Sequence, residues 1–336
     1  MKKRIIQVCL IVALIIIAYI RISNEQHKPV TETRVALGTF VTIDIKEKNS
    51  DNPVIIDSAF SLIAKYENQF SDKVDDSEIR KVNSSEKKEI VISDELAELL
   101  QKSQKISELS QGAFDVTIGA VSRLYDFLDK TMPDPNDIRE NLKHVDFTKL
   151  HIESNKVVKD DPAICLDVGA IAKGYIVDKV AEYLVSAGIR KAAINAGGDL
   201  YVLENENGEE WKIGIQHPRD DSTLWGYFTA KNAAIATSGD YEQFFMKDGM
   251  RIHHILDPKT GLPADQSVSV TVIAAEATEA DALCTAVFVM GPEKGIHLVN
   301  QLENVEALVI YEQEGKLKQL LSNGFMKYNY KQLSQN

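Results

Sequence analysis

The first twenty-two residues constrain this chain more than any other stretch of similar length. Met1-Lys2-Lys3-Arg4 is followed by an apolar run from Ile5 to Ile20 in which Gln7 is the one polar residue. As a helix, that run would span about 24 Å at 1.5 Å per residue, a little short of a bilayer's hydrocarbon core. Arg21 and the leading lysines can snorkel to cover the deficit. No small-x-small pair follows the run, and Cys9 lies inside it, too early for a lipid-modified cysteine. Residues 1–22 are therefore expected to form a membrane-anchor helix in the cell membrane, with the basic end cytoplasmic. A cleaved signal peptide is the alternative. Either one places the rest of the chain on the extracytoplasmic side.

That exported part is acidic. The chain has 38 basic and 50 acidic residues, net −12, and every charged group up to residue 23 is basic. Such a body has no general basic surface for nucleic acid, so no nucleic-acid partner is expected. Hydrophobic residues at 44% are enough for a packed core. Cys165 and Cys284 each sit in an apolar run and read as buried thiols rather than a disulfide framework.

Residues 23–33 are polar and look like a tether, 34–330 form one large or two intermediate domains, and 331–336 are a tail. Period-two alternation predicts strands at 36–45, 191–195, 199–203, 211–215, 226–230 and 267–273. Helices are predicted at 53–70, opened by Pro53, and at 93–109, with Ser93 as N-cap. Three more follow at 174–187, 278–290 and 292–302. Hairpin-linked strands mixed with helices argue for an α+β fold rather than regular βαβ alternation.

The densest polar stretch is Thr237 to Gly261, TSGDYEQFFMKDGMRIHHILDPKTG. Alternation across Arg251 to Leu256 suggests a strand, so His253 and His254 should point to opposite faces. One of them beside the Asp257-Pro258 turn is suited to proton transfer near neutral pH, although a satisfied structural histidine explains either alone. GAFDVTIG (112–119) reads as a helix stop and loop. In DVGAIAKGY (167–175), Lys173 near a helix start opposes the helix dipole, which suggests an anionic ligand. The glycine pair in NAGGD (195–199) permits a turn or a close backbone approach. Asp281 and Thr285, four apart, share a helix face that suits a hard cation. Thr278 as N-cap with Asp281 three residues on is the structural alternative. No Walker loop, GxGxxG or HExxH occurs.

Seven segments in register resemble the ApbE family, the FAD:protein FMN transferases. They are FSDKVDDSEIRKVN (70–83), GAFDVTIG, DVGAIAKGYIVD (167–178), NAGGDLYVL (195–203), ATSGDY (236–241), HHILDPKTGLP (253–263) and ADALCTA (280–286). The resemblance implies an ApbE-like (T-fold-like) arrangement of mixed sheets with packed helices. It also implies an enzyme that takes FAD as substrate with Mg²⁺, moves FMN onto a Thr or Ser hydroxyl of an acceptor protein with an FMN-binding domain, and releases AMP. Electron-transfer proteins are the usual acceptors. By the same resemblance His254 matches the catalytic base, and Ala113, Phe114, Asp115, Asp167, Lys173 and Ile255 match FAD contacts. Leu37 and Lys73 stand where relatives often place flavin-stacking side chains. Asp281, Thr285 and Ala170 match the metal ligands, and Cys284 stands where some members carry another acid. Two rival functions remain, of which the first would use the same residues. One is an FAD pyrophosphatase, with water replacing the acceptor. The other is a non-enzymatic flavin-binding membrane protein, which would need neither His254 nor Mg²⁺.

Overall fold

A computed structural model describes residues 29–47, 51–205 and 208–333. The expected anchor helix lies outside the described residues, and no helix among those described is long and apolar enough to cross a membrane. The chain begins with β1 (Val30–Ala36), β2 (Thr39–Ile45), α1 (Asn52–Phe70), α2 (Glu78–Ser84), β3 (Glu89–Val91) and α3 (Asp94–Leu109). Then come α4 (Gly119–Ser122), α5 (Pro135–Leu142), β4 (Leu150–Glu153), β5 (Lys156–Lys159), α6 (Ala172–Ser186), β6 (Ala192–Ala196) and β7 (Asp199–Leu203). After these lie β8 (Trp211–His217), β9 (Asp220–Ala230), β10 (Ala233–Gly239), β11 (Phe244–Lys247), β12 (Met250–His253) and β13 (Ser269–Ala274). The chain closes with α7 (Ala277–Met290), α8 (Pro292–Val299), β14 (Glu306–Gln313), β15 (Lys316–Leu321) and β16 (Lys331–Gln332).

One eight-stranded sheet, ordered β1-β2-β6-β7-β10-β13-β14-β15, organises the molecule. Its ladders are antiparallel, as the α+β expectation requires. Strand periodicity sends alternate side chains to opposite faces, and here both faces are covered. Ala234, Ala236, Val270, Val272 and Val309 pack with α1, α3, α6 and α7 in the main core. Ile235, Ile273, Leu308 and Ile310 pack on the other side with Trp225, Phe228 and Phe325. This two-sided burial explains why β13 is buried at every position, its polar Ser269 and Thr271 included.

Two hairpins depart from the sequence reading. β1 begins at Val30, inside the stretch expected to be a tether, and pairs with β2 across Leu37-Gly38. Both turn residues have left-handed φ, 56° and 70°, the requirement of a two-residue primed turn. A leucine there gives no turn signal, so the strand was invisible. β14 and β15 turn likewise at Glu314-Gly315, in a segment to which no element was assigned. Lys331 and Gln332, expected to be tail, pair with β9.

Candidate active site

The helix pair α6 and α7 builds the centre of the site. They cross closely because residue 174 is glycine: a Cβ there would lie 2.2 Å from the Ala277 carbonyl oxygen. Each helix is capped by the other. Asp178 of α6 accepts from the Ala277 and Thr278 N–H groups at 2.7 and 2.8 Å and from the Thr278 hydroxyl at 2.5 Å. Asp281 of α7 accepts from the Gly174 N–H at 3.0 Å. The capping-box alternative therefore fails: Asp281 serves the neighbouring helix, and α7 takes its cap from Asp178.

Gly174 is the third residue of α6, so its N–H is one of the first-turn donors without an intrahelical carbonyl, and Asp281 satisfies it. The ladder of α6 begins one residue later, with the Tyr175 N–H on the Ile171 carbonyl, so the Ala170 carbonyl lies just ahead of the helix. One turn beyond Asp281, the half-buried Thr285 hydroxyl makes no hydrogen bond among the described residues. The Asp281 carboxylate, the Thr285 hydroxyl and the Ala170 carbonyl are the kind of hard oxygen donors a magnesium ion takes. The donor set therefore fits the expected cation on the chemistry of its atoms, although no cluster of three His, Cys, Asp or Glu side chains fit for a metal occurs among the described residues.

Charge in the site is unbalanced. Lys173 pairs with Asp199, a residue only 2% exposed. Burial works against the Lys173 ammonium, but Asp199 and Asp281 outweigh it and hold its pKa above the ordinary value. Burial and Asp199 raise the Asp281 carboxyl, while Lys173 and the Gly174 N–H pull it back. Glu242 also feels Lys173 and Asp199, and burial of its carboxyl pushes it up to about 7. Three carboxylates around one lysine leave surplus negative charge, which favours a cation. Asp199 and Glu242 were missed in the sequence. Asp199 was readable as an acid opening an apolar strand just after Gly197-Gly198.

Cys284 does not join this group. Its Sγ accepts from the Ser238 N–H at 3.1 Å and donates to the Val270 carbonyl at 3.0 Å. Burial raises the thiol's pKa, and a metal ligand must be a thiolate. We assign Cys284 to the core, facing the sheet.

The two histidines differ in setting, although the strand expected over Arg251 to Leu256 ends at His253. His253 is buried, its Nε2 2.9 Å from the Ala264 carbonyl and its ring edge-on to Phe288 at 5.6 Å. His254 follows the end of β12, with Nδ1 3.3 Å from the Gln243 carbonyl. A carbonyl only accepts, so Nδ1 carries the proton and Nε2 keeps its lone pair. Burial lowers the His254 pKa to about 4, helped by His253 and Lys173 and opposed by the Gln243 carbonyl and Asp167. The imidazole is thus neutral at physiological pH. An NMR titration of its ring protons should show a midpoint near 4, and one near the ordinary ~6.5 would remove the basis for this protonation state. Between those values the unfolded chain binds more protons, so this group favours unfolding as pH falls from about 6.5 to about 4.

Other predicted contacts fall into place unevenly. Asp167 accepts from the Ser122 hydroxyl at 2.7 Å and the Gly169 N–H at 2.9 Å, fixing the loop into α6. Asp115 accepts from Thr117 N and Oγ1 at 2.8 and 2.6 Å and from Phe147 N at 2.9 Å, which shapes the loop after α3. Burial raises its carboxyl, and those hydrogen bonds oppose the shift. Beside it a cavity of about 420 Å³ is lined by Gly112, Asp115, Phe147, Pro258 and Lys259, so the loop after α3 and the Asp257-Pro258 turn share one wall. Ala113, Phe114 and Ile255 are buried, with Phe114 and Ile255 in the main core, so their side chains support the site rather than line it. Leu37 donates its N–H to Glu67 at 2.8 Å on the β1–β2 turn, and Lys73 is exposed. A second cavity, about 290 Å³ beside Glu98, Tyr175 and Lys179, contains none of the predicted site residues. Asp240, the acid of the Ser-Gly-Asp-Tyr turn, is held by Arg219 through two bonds of 2.6 and 2.7 Å, so its role is structural.

Residues 37–309 match the profile of the ApbE family. The FAD:protein FMN transferase of Treponema pallidum (strain Nichols) is 31% identical over 304 residues, covering 84% of this chain and 84% of the relative. That of Vibrio cholerae serotype O1 is 34% identical over 275 residues, covering 80% and 82%. Among solved structures, the flavin transferase ApbE from Vibrio cholerae superposes with a TM-score of 0.81 at 29% identity, covering 90% of this chain and 99% of that one. The ApbE protein of Thermotoga maritima gives a TM-score of 0.81 at 31% identity with the same coverage.

Proposed function

The chain belongs to the ApbE family, and from that premise we propose that it attaches FMN, taken from FAD with the help of Mg²⁺, to a Thr or Ser hydroxyl of an acceptor flavoprotein. It is an enzyme, a flavin transferase like its relatives. The acceptor hydroxyl attacks the phosphorus next to riboflavin while His254 Nε2 takes its proton. The bridging P–O bond breaks and AMP departs. The observation that carries this reading is the pinning of His254 Nδ1 by the Gln243 carbonyl, which leaves a neutral imidazole with its lone pair free.

The protein's own part is positioning and charge, which phosphoryl transfer needs more than protein covalency. Lys173 supplies a fixed positive charge for the pyrophosphate. Asp281, Thr285 and the Ala170 carbonyl would hold magnesium, which when bound neutralises charge developing on the departing phosphate. Asp167 and Asp115 keep their loops in shape around the flavin nucleotide. The full chain, incubated with FAD, Mg²⁺ and a panel of recombinant FMN-binding-domain proteins, should yield a fluorescent acceptor band that survives denaturation. Free FMN with no labelled band would favour the pyrophosphatase.

The membrane assignment rests on the basic-apolar-basic pattern of residues 1–22. Full-length protein should stay in the membrane fraction through salt washing, and a version beginning at Asn24 should be soluble. A mature N-terminus mapped beyond residue 22 would show a cleaved signal instead.

A further inference from the structure

β11 and β12 form a two-stranded sheet of their own. A lone pair of strands is marginal in water, and this one is anchored on one face by Phe245 and Ile252 and at its inner end by the buried His253. Phe245 and Ile252, partners across the ladder, are buried with Val121, Tyr125 and Leu256. The opposite face carries Phe244, 39% exposed, and Met246, 57% exposed, while Met250, 58% exposed, pairs with Lys247 beside the turn, on the Phe245 and Ile252 side. Phe244 and Met246 are two apart and so point the same way. Arg251, the cross-strand partner of Met246, lies over the Phe244 ring at 4.0 Å and completes a flat, apolar and cationic patch.

Single exposed apolar residues need no explanation, but three within seven positions beside the reacting centre do. The patch is continuous with His254. Phe244 pairs with His253, and the His254 backbone N–H and ring both meet the Gln243 carbonyl, one residue before Phe244. A hydroxyl brought to His254 Nε2 therefore brings its flanking residues over this hairpin. Methionine side chains adapt to varied apolar partners. We infer that the outward face of β11–β12, Phe244 and Met246 with Arg251, docks the acceptor segment flanking the modified Thr or Ser, and that this segment presents apolar side chains. The inference rests on the transferase reading.

The test compares four full-length proteins: wild type, Phe244→Ser/Met246→Ser, Met246→Lys alone, and Met326→Ser as a control for an exposed methionine elsewhere. Each is assayed for FMN attachment to a recombinant FMN-binding-domain protein at saturating FAD and varied acceptor, with FAD affinity measured separately. Removing two interface anchors should raise the acceptor KM about tenfold or more, with FAD affinity within about twofold of wild type. Met246→Lys, which disturbs no buried contact, should shift the same parameter in the same direction. Unchanged acceptor KM in both hairpin variants would overturn the docking surface while leaving the transferase reading intact. So would unchanged KM accompanied by lost binding to anionic phospholipid vesicles, which would make the patch a membrane contact. No labelled acceptor with wild type would overturn the transferase reading and the docking proposal with it.

Discussion

Asp281→Asn is expected to abolish magnesium-dependent FMN transfer while leaving the fold nearly as stable as before. Asparagine keeps an oxygen that can accept from the Gly174 N–H, so the trans cap of α6 survives. What it loses is the charge, in a site where the other matched donors, the Thr285 hydroxyl and the Ala170 carbonyl, are neutral. A helix cap is worth roughly 0.5–2 kcal/mol, and Asn and Asp are comparable caps. The melting temperature should move little, and direct titration should show weakened Mg²⁺ binding alongside the lost turnover. Activity within a fewfold of wild type, with unchanged magnesium dependence, would reduce Asp281 to its capping role.

His254→Ala should leave FAD binding nearly intact and cut transfer by ~10²–10⁴-fold, the usual worth of a general base. His253→Ala should behave differently. Its ring is buried against Phe288 and hydrogen-bonded to Ala264, so the change opens a cavity and strands a buried carbonyl. It should lower the melting temperature before it lowers the rate at permissive temperature. Comparing rate and stability for the pair separates the two roles, and equal rate losses in two well-folded variants would sink the assignment.

Much of this was legible because local signals and tertiary structure agree. Ser93 caps α3 as expected, accepting from Leu96 N at 3.1 Å, and Pro53 lies in the first turn of α1. The two histidines were expected on one strand, but β12 ends at His253, with both Ile252 and His253 buried, and His254 follows it. What stayed hidden is what sequence spacing does not encode. The trans caps between α6 and α7 join residues about a hundred positions apart, so Asp281 looked like a partner for its own helix. Lys173 near a helix start suggested an anionic ligand. What the structure pairs it with is a protein carboxylate, Asp199, delivered by a strand beyond the helix. Cys284 sits within a turn of Asp281 and Thr285, and only the position of the sheet shows that its thiol faces Ser238 and Val270.

The central claim is that FMN goes to a protein hydroxyl rather than to water. Its most direct test is to measure, in one reaction of the full chain with FAD, Mg²⁺ and an FMN-binding-domain acceptor, both the AMP released and the FMN covalently attached to the acceptor. The account predicts equimolar amounts, with the label on a single Thr or Ser and both products lost together in His254→Ala. AMP matched by free FMN, with no label on any acceptor, would contradict it.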